Sequence, residues 1–386
     1  MLSLLSGAAL LTAVGLFSQL VGFGYRIVLS RLVGAETMGL YQLIMPVYST
    51  LMSLTAIGLT VAVSTLSARY EALGDRGAVR QTRNRALALF FVAAIPLGAL
   101  LVIFSDPISV YLLGDARTQL GIVLLVPCVL LTGVENLHKH CFYGIGQIRP
   151  PALTETVEQL IRTGAVLGLL ILLLPRNREE TVGIIVTGMV LCEIFSAVTL
   201  TALFRRWWRS APKSPPREHV GWGQLLSISI PVAATSLLGT ILGSANAVLI
   251  PAKLVAGGAD PSAAISAFGV LCGMTMPLLN LPTGFIGALC LVLVPNLAQK
   301  HALGDGRAVH GFLDRVLSAT SLLMAPAMAL LTVVGPDLAR WVFGDAAAGD
   351  YMLPLAVGTL LGCYQSVLSG ALNGVGRQGL AARNAI

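Results

Sequence analysis

Two arginines five positions apart, Arg26 and Arg31 in GYRIVLSRLVG, stand inside a long apolar run. A charged side chain at the bilayer centre costs about 3 kcal/mol or more, so a guanidinium kept there has a partner or a task. Its planar fork donates two bonds at once to a pair of phosphate oxygens, and a cavity carrying such groups would attract a pyrophosphate. Residues five apart lie about 140° around an ideal helix. Both arginines face one cavity only if the helix bends, and snorkelling to the headgroups is the competing use. Glu135 and Glu193 are acidic groups in apolar sequence; each is suited to bind a proton or a sodium ion, or to hydrogen-bond a neighbouring helix. Glu158 and Arg162 are spaced i, i+4 and neutralise each other on one helix face, with Glu155 beside them. HKHC, His138 to Cys141, resembles a ligand cluster, but residues two apart do not share a helix face, and basic residues at a membrane edge account for it. The six cysteines form no CxxC spacing and read as small packing thiols. No phosphate-cradling glycine loop, nucleophile elbow or zinc motif occurs, so no cofactor, no metal and no enzyme chemistry is expected.

Elements long enough to carry these groups through a membrane are plain in the composition. Of 386 residues 55% are hydrophobic and 11% charged, against roughly a quarter charged in soluble domains. The apolar blocks repeatedly reach about 18 residues, the length that spans some 30 Å of hydrocarbon. The pattern predicts an all-α polytopic membrane protein with ten spanning helices near 4–33, 38–67, 86–105, 119–140, 152–175, 181–204, 223–252, 263–298, 315–334 and 351–372. Met1 to Leu5 holds no basic segment of the kind that opens a cleavable signal. With the N-terminus in the cytoplasm, cytoplasmic loops hold 17 of the 25 basic residues and the opposite loops five, the bias expected of inward-facing loops. That bias also explains the net charge of +7 without invoking nucleic acid.

The chain repeats itself. ALGDRGAVRQTRNRALA from Ala72 matches ALGDGRAVHGFLDRVLS from Ala302, at an offset of 230. Held without gaps, the offset pairs Pro96 with Pro326, Gly114-Asp115 with Gly344-Asp345, Leu130-Leu131 with Leu360-Leu361, and GIG at 144–146 with GVG at 374–376. Because the offset is an even number of spans, the copies insert with the same polarity, as a parallel repeat. The expected organisation is a six-helix lobe over 1–204, a cytoplasmic linker over 205–222, and a second lobe over 223–386 that stops after four of six helices. The linker RRWWRSAPKSPPREHVGWG is proline-rich and charged, and Trp207, Trp208 and Trp222 suit the headgroup level.

GFGYRIVLSRLVGAETMGLYQLIMPVYSTLMSLTAIGLTVAVSTLSARYEALGD, Gly22 to Asp75, resembles the opening of bacterial polysaccharide-biosynthesis membrane proteins, and FYGIGQIRPPALTETVEQLIR, Phe142 to Arg162, resembles their fourth-to-fifth helix junction. The likeness is greatest to the stage V sporulation protein B-like flippases of the multidrug/oligosaccharidyl-lipid/polysaccharide (MOP) superfamily. This resemblance implies a two-lobed bundle that moves undecaprenyl-pyrophosphate-linked oligosaccharide, or a peptidoglycan precursor, to the outer leaflet of the bacterial plasma membrane by alternating access. Arginines on the first helix of such proteins bind pyrophosphate, a role that carries over to Arg26 and Arg31. Gln19, a third candidate for substrate binding, stands where some relatives have an arginine, and the second helix is uncharged from Gly39 to Ser67, so the cavity would be less basic. The expected partners are the lipid-linked oligosaccharide and membrane lipids, with no nucleic acid, and the chain is expected to act as a monomer. A cation-coupled multidrug exporter of the same superfamily, coupling through Glu135 or Glu193, is the rival reading. A non-transporting fragment is a third.

Overall fold

A computed structural model of the chain describes residues 2–173, 175–209, 220–284, 286, 289, 293, 297 and 306–375. Among these residues there is helix and turn but no strand. In hydrocarbon every backbone N–H and C=O needs an internal partner, and an apolar helix provides one within its own segment. The helices are α1 (Leu2–Met52), α2 (Gly58–Ala72), α3 (Arg76–Ile103), α4 (Gln119–Gly144), α5 (Arg149–Leu173) and α6 (Arg178–Arg209). They continue with α7 (Trp222–Ala256), α8 (Pro261–Gly269), α9 (Gly306–Phe343) and α10 (Met352–Gly374). Wide π-turns at Ser53–Ile57 and Val270–Thr275 join α1 to α2 and extend α8. The surface faces oil: Val92, Leu172, Leu322 and Val333 are each more than 70% exposed, a face that only lipid covers without cost.

Nine helical stretches of the described residues are long and apolar enough to cross a membrane. The first, Val14–Ala72, has 59 residues, nearly three hydrocarbon thicknesses at about 1.5 Å per residue. It holds the first two predicted spans. Gly34 interrupts it with φ 77° and ψ 170°, a backbone region essentially restricted to glycine. The polytopic all-α fold expected from the sequence is therefore the one observed.

Packing divides the chain into two compact units, Met1–Tyr25 with Val33–Gly269, and Arg26–Leu32 with Val270–Ile386. The boundary between the units falls at Gly269, and Arg26–Leu32 group with the second. In the first unit, small residues let helices approach closely, as is usual between membrane helices. Gly58 lies against the Ser229 carbonyl of α7, and Gly133 of α4 lies against the Phe90 ring of α3, with no room for a Cβ at either position. Ser53, in the first π-turn, shares hydrogen bonds with Thr240 (2.8 Å) and Ser236 (3.2 Å) of α7. In the second unit Leu279, Met324, Met328, Ala356 and Val367 form a buried apolar cluster, and Thr275 donates to the Ala348 carbonyl at 2.8 Å.

The two Gly-Asp pairs of the repeat fold alike. Gly114 and Gly344 have φ of 74° and 80°. The Asp115 and Asp345 carboxylates accept from the backbone N–H two residues on, each at 2.9 Å. The first copy's opening turn is capped by Asp75, which accepts from the Ala78 N–H at 2.9 Å. The matching residues 302–305, and Lys213, Arg217, Cys290, Lys300, Arg377 and Arg383, lie outside the described residues.

Two local expectations are corrected. Helix α6 continues to Arg209, so residues 205–209 are helical rather than irregular. Helix α4 runs on to Gly144 and takes HKHC into its packed body. There His138 is 1% exposed, held by Arg83 at 3.2 Å and by the Val134 carbonyl at 2.7 Å.

Candidate functional site

The first unit contains a buried chain of charges built from three neighbouring helices. Helix α4 presents Glu135 and Lys139, α5 presents Glu158 and Arg162, and α6 presents Glu193. Lys139 Nζ lies 2.5 Å from Glu135 Oε1 and 3.5 Å from Glu158 Oε2. Arg162 Nη2 lies 2.6 Å from Glu158 Oε1 and 3.2 Å from Glu193 Oε1, and its Nε donates to Cys192 Sγ at 3.3 Å. The i, i+4 spacing within α4 and within α5 puts each cation one turn above its acid. Glu135 and Glu193 are 2% and 3% exposed, a depth at which an unpaired carboxylate is very costly.

Three carboxylates face two cations, so the fully ionised cluster carries one surplus negative charge. Glu135 Oε2 and Glu193 Oε2 are buried with no hydrogen-bond partner among the described residues. One added proton or cation would neutralise the set. The arrangement therefore has room for one positive charge in a low-dielectric setting. Glu158, Cys192 and Glu193 bring their ligand atoms within 4.8 Å of one another, but Arg162 already donates to all three residues. Tyr48 of α1 stands nearby, donating to Thr132 of α4 at 3.3 Å.

Both sequence-predicted acids thus belong to one network, and Glu158 and Arg162 pair as their spacing foretold. Sequence pattern alone puts Lys139 at the membrane edge, whereas its side chain is 14% exposed and links two acids. The signal was present, since Glu135 and Lys139 are also i, i+4.

The first-helix residues have separate settings. Arg26 is exposed, with no hydrogen bond or ion pair among the described residues. Arg31 donates Nε to the Val342 carbonyl at 2.7 Å and Nη2 to the Trp341 carbonyl. It thereby satisfies the last carbonyls of α9, which have no partner within their helix. Gln19 is half-buried and engaged by neighbours.

A second, more exposed network lies at the other end of α4. Glu36 accepts from Arg117 at 2.7 Å and from Arg178 at 2.8 Å, and Arg117 also grips Asp115 at 2.6 Å.

The chain matches the family described as polysaccharide biosynthesis protein over residues 4–301. It is 25% identical over 390 residues to stage V sporulation protein B of Bacillus subtilis, covering 99% of this chain and 75% of that one. It is 19% identical to the lipid II flippase MurJ of the same organism, over 89% of this chain and 66% of the relative. Among solved structures, an inward-facing multidrug resistance MATE family transporter of the MOP superfamily has the same fold, with a TM-score of 0.71 at 13% identity, over 95% of this chain and 83% of that one.

Proposed function

We propose that this chain, which belongs to the polysaccharide biosynthesis protein family, moves a lipid-linked sugar carrying a pyrophosphate across a bacterial membrane by alternating access. The chain is a multi-pass membrane protein of the MOP superfamily, and of the proteins named above one is a lipid II flippase and one a multidrug resistance transporter. The proposed cargo is undecaprenyl-pyrophosphate-linked oligosaccharide or a peptidoglycan precursor, carried to the outer leaflet by a monomer whose N-terminus is cytoplasmic. The 17-to-five bias of basic residues between loops supports that orientation.

Arg26 carries the reading. Its guanidinium sits exposed on an apolar span with no hydrogen bond or ion pair among the described residues, a charge whose upkeep makes sense if it meets an anion in each cycle. Arg31 is less free, because its donors already hold the end of α9. Arg26→Ala is expected to reduce export of the lipid-linked precursor more than tenfold, read as its accessibility to a membrane-impermeant label at the outer leaflet. Arg26→Lys is expected to keep part of the activity, since a lysine offers charge without the fork. Normal export by Arg26→Ala at normal membrane abundance would remove this reading.

The rival, a cation-coupled exporter, is favoured by one observation, the surplus carboxylate of the Glu135–Glu193 network. It expects drug efflux that survives Arg26→Ala and fails with Glu193→Gln.

A further inference from the structure

The last three turns of α6 carry two adjacent i, i+4 rows. One runs Ala197, Thr201, Arg205, Arg209, and the other runs Val198, Ala202, Arg206. Each row is small or apolar below and cationic above. Small side chains at 197, 201 and 202 leave a trough in the helix surface, and Leu131 and Val134 of α4 form its other wall. The resulting cleft has a volume of about 730 Å³, and the three arginines lie at one end of it.

Those arginines differ from their neighbours. Arg76, Arg80, Arg83 and Arg85 lie over the rings of Trp207, Trp208, Phe204 and Trp222, at 5.4, 4.9, 4.4 and 5.0 Å. Each of these four cations has an aromatic face. Arg205, Arg206 and Arg209 are exposed and have no hydrogen bond, ion pair or ring contact among the described residues. Three like charges within two turns repel one another, and an anion between them relieves that repulsion. The Trp207 and Trp208 rings on the same turns suit the headgroup level, so the apolar trough extends from there into hydrocarbon.

The geometry points to a bound anionic phospholipid, its phosphate held by Arg205, Arg206 and Arg209 and one acyl chain laid in the α4–α6 trough. Charge complementarity selects the headgroup: among the described residues three cations and no carboxylate line the cleft, a lining that favours an anionic headgroup over one whose ammonium would need an acidic partner. The trough selects a lipid over free phosphate, because a soluble anion would leave its apolar walls unfilled. This site is independent of the transported cargo and of Arg26.

The test uses tryptophan fluorescence of the full chain in phosphatidylcholine vesicles. The chain has four tryptophans, so Trp222→Phe with Trp341→Phe leaves Trp207 and Trp208 as reporters. Brominated phosphatidylglycerol is expected to quench them far more than brominated phosphatidylcholine at the same mole fraction, with about a fivefold preference contributed by each arginine. Replacing all three by glutamine is expected to abolish the preference, and each single replacement to weaken it. Ala202→Phe, which fills the trough and keeps every arginine, is expected to abolish it too, while excess inorganic phosphate leaves it intact. Equal quenching by the two lipids, or a preference that survives in the triple variant, would overturn the site. Displacement by inorganic phosphate, or a full preference in Ala202→Phe, would overturn the acyl-chain half and with it the proposal.

Discussion

Replacing Lys139 by methionine probes the charge balance of the buried network. Lys139 is the sole cation touching Glu135 among the described residues, at 2.5 Å, with side-chain exposures of 14% and 2%. Its loss leaves Glu135 buried without a counter-charge and raises the surplus from one negative charge to two. Removing one partner of a buried pair costs about 3–5 kcal/mol. Glu135→Gln should behave differently, because it leaves Lys139 with Glu158 and Arg162 with Glu193 and makes the network neutral. Its expected cost is within about 1 kcal/mol, the scale of one hydrogen bond. The double variant returns to one surplus charge and should recover at least 2 kcal/mol of the Lys139→Met loss, a coupling measurable in a double-mutant cycle. The assay is thermal unfolding of detergent-solubilised protein followed by size-exclusion chromatography. If Glu135→Gln proves as damaging as Lys139→Met, or the double variant no better than Lys139→Met, the account of a surplus-acid cluster is refuted.

Two further outcomes follow from backbone and surface features. Gly34→Ala forces a Cβ onto a backbone at φ 77°, ψ 170°. It should cost about 1–3 kcal/mol, visible as a lower unfolding temperature in the same assay. Glu36→Gln removes the charge shared by Arg117 and Arg178, whose side chains are 31% and 53% exposed and stay solvated when Glu36, itself 11% exposed, becomes neutral. Its cost should stay below about 1 kcal/mol and shrink further in high salt. A loss as large as that of Lys139→Met would show that this network is less wetted than its exposure indicates.

What the sequence revealed of these features depended on how local each one is. Span number followed from apolar length, and the Gly-Asp turns from a dipeptide whose glycine reaches positive φ at little cost. Glu158 and Arg162 were legible as a pair because four residues of helix fix their spacing. That Arg162 also reaches Glu193 depends on the register between α5 and α6, which no local pattern encodes. The partners of Arg31 lie 310 and 311 residues away, so only the folded chain discloses its capping role. By pattern Lys139 belongs at an edge, because charged residues near a turn usually end a span; α4 keeps its ladder to Gly144, with Glu135 and Glu158 compensating the lysine inside.

The π-turn at Ser53–Ile57 bears on anyone who engineers the first hundred residues. A wide turn accommodates one residue more than an α-turn, so the stripe of side chains above it is rotated by about 100° from the stripe below. Cysteine pairs, labels or helical-wheel alignments that count fours through Ser53–Ile57 will select positions on the wrong side of the rod. Deleting a single residue there would swing Ala62, Val63 and Leu66, all buried, out of their present neighbourhood while leaving the helix outwardly more regular.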